Sequence, residues 1–146
     1  LDLAIRYELG YQVEERLQED IISKFHGEMP VGCAHVIATD NNKWPYMVAA
    51  PTMRVPEDVS RTVNAYLAFR AILLEIERFN IANTGQKIES VVCSGLATGI
   101  GEMSPYNCAA QMKKAYEVCS KPARIPNLGS IHVDHFKMRA KEQESE

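Results

Sequence analysis

The sequence predicts an α/β layer fold with a largely parallel sheet, and three observations predict it. Short apolar, β-branched runs, "VGCAHVIAT" (31–39), "PYMVAAP" (45–51) and "IESVVCSG" (88–95), alternate with segments of helical periodicity. Three glycines, Gly95, Gly99 and Gly101, follow the third run and precede a helix start, where open α/β sheets bind ligands. The length, 146 residues, suits one domain. A domain of that size buries roughly 70% of its unfolded surface.

Taken in order, "LDLAIRYELG" reads as a short helix with Asp2 near its start and Gly10 at its end. In "YQVEERLQEDIISKFH", Val13, Leu17, Ile21 and Phe25 recur every four residues between acidic positions, and Gly27 and Pro30 end that amphipathic helix. The first two apolar runs follow, separated by the polar "DNNK". A long helix is then expected from Glu57, with Glu57 and Asp58 at its positive end and Val59, Val63, Tyr66, Leu67, Leu74 and Ile76 on its apolar side. After the third run, Ser104 and Pro105 occupy the N-cap and first-turn positions of a helix through "AAQMKKAYEVC". "SKPARIPNLG" is a loop, "SIHVDHFKMRAK" a short strand or terminal helix, and "EQESE" a frayed end. Three strands are few for such a sheet. That shortfall and the start in mid-element lead to the expectation of one domain over 1–146 that lacks its first strands, with 120–146 as an extension of unassigned structure.

Composition narrows the function. A net charge of −3 gives no footprint for nucleic acid or an anionic membrane. No apolar run reaches the ~18 residues of a membrane span. Cys33, Cys93, Cys108 and Cys119 show no C-x-x-C pairing and read as free thiols in a reducing, cytoplasmic setting. An anionic ligand must therefore be held by backbone N–H groups and local dipoles.

"VVCSGLATGIGEMSPYN" (91–107) is the stretch that can do so. Glycines let the backbone approach a ligand, consecutive N–H groups form a concave nest, and the helix start adds partial positive charge. Ser94 and Thr98 add hydroxyls. Neither G-x-x-x-x-G-K-[ST] nor G-x-G-x-x-G is present, so an ordinary Gly-rich turn stands as the alternative.

"GCAHVIATDNNKWPYMVAAPTM", then "NAYLAFRAIL", then "IESVVCSGLATGIGEMSPYNCAAQMKKAY" resembles the second half of a macro domain, most closely a divergent branch carrying "APTMRVP". "DLAIRYELG" is similar to the helix after that family's glycine-rich first loop. The resemblance covers about residues 1 to 119. It implies a three-layer α/β/α sandwich with a mixed, largely parallel sheet, and binding of ADP-ribose or an ADP-ribosylated protein without a cofactor. By position, the backbone of Ser94, Gly95, Leu96, Ala97, Thr98, Gly99, Ile100 and Gly101 would cradle the diphosphate and distal ribose. Leu3, Ala4 and Ile5 would face the phosphates from the other side. Many members hydrolyse ADP-ribosyl groups, and Asp2 matches the acidic position one branch uses. The family's adenine-contacting acid and Asn-rich stretch have no counterpart here. A non-catalytic interaction module is the remaining alternative, and an exposed sheet edge could support an oligomer.

Other candidates have plainer readings. His132 and His135 have metal-ligand spacing without a third ligand, so no metal site is expected. His35 suits a satisfied histidine on a sheet face. Arg54 is set either to pair with a phosphate or to anchor its turn to Glu57 or Asp58. Trp44 and Tyr46 suit packing, and Cys93 lacks a partner that would make it a nucleophile.

Overall fold

A computed structural model describes residues 2–139; the side chain of Asp2 and the segment 140–146, including the expected frayed end, lie outside the described residues. The elements are α1 (Asp2–Leu9), α2 (Tyr11–Phe25), β1 (His35–Ala38), β2 (Tyr46–Ala49), α3 (Asn64–Ala82), α4 (Pro105–Cys119) and α5 (Leu128–Arg139). Helices and strands thus mix as expected. The sheet of the described residues is a two-stranded antiparallel hairpin, with His35 opposite Ala49 and Ala38 opposite Tyr46, instead of the largely parallel sheet the sequence suggested.

Both faces of this hairpin are covered. His35 and Ile37 are buried on one face, where Asp20 of α2 accepts or shares the His35 Nε2 proton at 2.5 Å. Tyr46, opposite Ala38, faces the other way and meets Phe79 of α3 edge-on at 4.9 Å. Its hydroxyl donates to Gln86 at 2.8 Å. His35 is therefore the satisfied sheet-face histidine expected, and Tyr46 the packing residue.

The third run is not a strand in this structure. Ile88 is fixed by Asn80, which accepts from its N–H at 2.7 Å and donates to its carbonyl at 2.9 Å. Residues 89–94 then make no backbone hydrogen bond to any described residue. Val91 is exposed and Val92 is 81% exposed. An apolar β-branched pattern becomes a strand only beside a neighbour that takes its N–H and C=O groups, and none adjoins it here. Tyr46 touches Gln86 before the run, and Met53 lies against Gly101 after it.

α3 begins seven residues later than expected. The side chain of Ser60 first, and then its N–H at 2.8 Å, lower the Asp58 pKa by bonding to the carboxylate, and the Thr62 hydroxyl donates to Val59 O at 2.7 Å while accepting from Asn64 N at 3.2 Å. Such local side-chain bonds compete with helical ones, so 58–63 forms turns that cap the helix. α4 starts where expected, with Ser104 accepting from Asn107 N at 3.1 Å and Pro105 in the first turn. Ala65, Ala68 and Ala71 on α3 are buried, as is Ala115 on α4, and these small side chains let the two helices pack closely. The segment 128–139 is a helix, resolving the alternative left open by the sequence.

Gln111 joins these elements. Fully buried on α4, its amide oxygen accepts from Tyr66 N at 3.1 Å in α3, and its nitrogen donates to Thr62 O at 2.9 Å and to Met138 O at 3.1 Å in α5. Replacement by leucine of similar volume removes the partner of three backbone groups, one buried and two part-buried. We expect Gln111→Leu to lose about 3 kcal/mol of stability in urea unfolding; a loss under about 1 kcal/mol would show that the three elements hold without the amide.

The Asp20–His35 contact sets a pH dependence. Its hydrogen bond to His35, assisted by Lys24 at 3.5 Å, holds the Asp20 carboxyl below its ordinary value of 3.8, against a partial desolvation cost. A depressed folded pKa means that the stabilisation is present above the unfolded value and is lost as pH falls through the folded one. Asp20→Asn should therefore lower the melting temperature near neutral pH, and by progressively less as the pH falls below the ordinary carboxyl value of 3.8. Equal losses at neutral and acidic pH would show that the contact is not ionic.

Candidate functional site

The glycine loop is built from two consecutive turns resting on a small core. Thr98 Oγ1 donates to Gly95 O at 2.8 Å and Thr98 N approaches the same oxygen at 3.5 Å, closing the first turn. Glu102 N donates to Gly99 O at 3.0 Å and Met103 N to Ala97 O at 3.0 Å, closing the second. Ala97 and Glu102 take left-handed backbone angles, φ 63 and 54, a conformation costing on the order of 1–2 kcal/mol for a residue with a Cβ. Below the loop, Val59, Ala65, Ala97, Met103 and Cys108 form a buried cluster, edged by Met53, Leu96 and Met112. Met103 therefore lies under the loop, and Tyr106 points out to solvent.

The glycines have different tasks. A Cβ on Gly101 would come within 2.6 Å of Ala97 O, 2.8 Å of Val59 Cγ2 and 3.1 Å of Met53 Cε. Gly101 also accepts from Val59 N at 3.0 Å, so the loop and the 53–59 segment meet backbone to backbone. Nothing lies within 4 Å of a Cβ on Gly99, which faces open space. On Gly95 a Cβ would press on the Thr98 side chain at 3.0 Å.

Those turns leave several N–H groups free. Among the described residues, no acceptor is found for the N–H of Gly95, Ala97, Gly99, Ile100 or Gly101. The Leu96 N–H is directed at the Cys108 thiol, which opposes the rise that burial imposes on that thiol's pKa. Burial and the neighbouring Cys108 push the Cys93 thiol up as well, so neither cysteine is a thiolate nucleophile. Residues 94–101 carry no titratable side chain. Chemically, the loop is a set of neutral donors of fixed direction beside a helix N-terminus, suited to oxygen anions.

The other sequence candidates lie elsewhere. Leu3, Ala4 and Ile5 stand on α1, which packs against α2. Leu3 and Ala4 are exposed, and no hydrogen bond joins them to residues 94–101. The Asp2 side chain falls outside the described residues. Arg54 pairs with Glu28 instead of Glu57 or Asp58, with Nε on Oε1 and Nη2 at 3.3 Å from Oε2. That pairing lowers the Glu28 pKa and raises that of Arg54. Trp44 borders the hairpin with Lys43 over its ring at 5.3 Å. Sequence reasoning missed the Val59–Gly101 junction, and it missed Asn107, whose Oδ1 is buried without a hydrogen-bond partner among the described residues. Neither leaves a signature in local spacing. A cleft of about 430 Å³ lies at the Tyr46–Gln86 end, lined also by Ala38, Asp40, Asn41, Asn42 and Pro45. Its lining includes one carboxylate, Asp40, which is paired with Arg16, and the rest of the lining is neutral.

Comparison with known proteins gives one match. The family model described as Macro domain matches residues 1–112. No significant match was found among curated proteins or among solved structures.

The two open questions about the glycines can be separated by substitution. Gly101→Ala is expected to destabilise the fold by about 2 kcal/mol, because backbone and core atoms occupy the space its methyl needs. Gly99→Ala, in open space, should stay within about 0.5 kcal/mol of wild type. Thermal melts of the two variants check this; equal melting temperatures would contradict the close approach at Gly101.

Proposed function

Because the chain belongs to the macro domain family, whose members generally bind ADP-ribose, we propose that it binds ADP-ribose through the backbone of residues 94–101. The observation that carries this reading is the run of loop N–H groups without acceptors, held by two closed turns beside the N-terminus of α4. A diphosphate presents the oxygen acceptors such a run lacks. It also matches a protein of net charge −3, because preorganised dipoles hold an anion without a basic surface. A ligand that is attached to a protein would present the same diphosphate.

We read the site as one of binding rather than hydrolysis. The loop itself brings no general base, and both nearby thiols are held protonated by burial. Its strain at Ala97 fits a preorganised cradle, in which distortion is stored in the fold before the ligand arrives.

Calorimetric titration with ADP-ribose, with AMP and ribose 5-phosphate as controls, tests the reading. Saturable binding of ADP-ribose that neither control reproduces is expected. Gly99→Glu should weaken it by about two orders of magnitude or more, because a carboxylate then occupies the open position the anion needs. Binding unchanged in that folded variant would remove the loop from the site.

A further inference from the structure

The segment 53–59 leaves the glycine loop and returns to it. Met53 lies against Gly101, its Cε 3.1 Å from where a Cβ would stand, and the Val59 N–H donates to the Gly101 carbonyl at 3.0 Å. The residues between are a strap pinned at both ends on one glycine. Its sequence, "MRVPEDV", carries one cation and two carboxylates, and Glu102 adds a third carboxylate at the far end of the loop. A dianionic ligand on the loop therefore meets an acidic surrounding with Arg54 as its one nearby counter-charge on the strap.

Arg54 is placed to serve. It follows Met53 directly, about 3.8 Å along the chain from the residue in contact with the loop. Its side chain is 78% exposed, and Glu28, from the turn after α2, holds the guanidinium by a two-point contact. An exposed ion pair of this kind is weak in water, so exchanging one carboxylate for a diphosphate costs little. The guanidinium fork fits phosphate oxygens as well as it fits a carboxylate.

We propose that Arg54 is the counter-ion of the diphosphate bound by residues 94–101, and that Glu28 is a competing anion that holds the guanidinium at the rim while the site is empty. This rests on the ligand assignment made above. It makes Arg54 a specificity residue for the charge of the ligand, and Glu28 a residue whose removal improves binding.

Calorimetry with ADP-ribose on wild type, Arg54→Ala, Arg54→Lys and Glu28→Gln, with a thermal melt of each unliganded protein, tests it. Arg54→Ala is expected to weaken binding about tenfold, Arg54→Lys to recover part of the loss, and Glu28→Gln to tighten binding severalfold. A structural brace would instead lower affinity and melting temperature in Arg54→Ala and Glu28→Gln alike, and that outcome overturns the proposal. Wild-type binding with unchanged affinity in Arg54→Ala overturns it alone. Absence of saturable binding by wild type overturns it together with the ligand assignment.

Discussion

At Gly101 one backbone oxygen and two side-chain carbons crowd a single α-carbon so closely that a methyl group has no place. Ala97 O, Val59 Cγ2 and Met53 Cε occupy that space, and the Val59 N–H uses the Gly101 carbonyl. Most of what surrounds the loop follows from this junction. It draws the 53–59 strap onto the loop, and it sets Ala97 and Met103 into one apolar cluster with Val59, Ala65 and Cys108. Ala97, whose carbonyl meets Gly101, has a positive φ. Packing beneath the loop thus fixes the direction of the N–H groups above it. A cradle shaped in advance loses less ordering entropy when a ligand arrives than a flexible Gly-rich segment would.

The electrostatics are local. With 19 acidic and 16 basic side chains, the protein has no general attraction for anions. In the proposed reading, attraction arises from the unshared N–H groups of the loop beside the N-terminus of α4, with Arg54 as their counter-charge. The Asp20–His35 contact lies on the far side of the hairpin from the Tyr46–Phe79 packing and belongs to stability. The polar cleft at the Tyr46–Gln86 end shows the contrast. It has the room for a small molecule, but its one charged lining residue, Asp40, is an anion already paired with Arg16.

How much of this could be read in the sequence depends on how far each signal reaches along the chain. The start of α4 was legible because Ser104 and Pro105 act within one turn. α2 was legible because its periodicity is its own. The beginning of α3 was not, because Asp58 and Thr62 bond locally and Val59 N–H is taken by a residue 42 positions away, Gly101. The run 88–93 has the composition of a buried strand, but composition cannot report whether a neighbouring strand adjoins it. At the site, the three glycines look alike in sequence. Only packing separates Gly101, which has no room, from Gly99, which has nothing but room. Arg54 was legible as a charge, while its partner Glu28, 26 residues earlier, was not.

The most direct test follows the amide resonances of Gly95, Ala97, Gly99, Ile100 and Gly101 during an NMR titration with ADP-ribose. Hydrogen bonds from these N–H groups to phosphate oxygens should move them downfield together, saturating with one dissociation constant, while amides around the Tyr46–Gln86 cleft stay in place. Saturable shifts confined to the cleft, with the loop amides unmoved, would contradict the assignment of the loop as the ligand site.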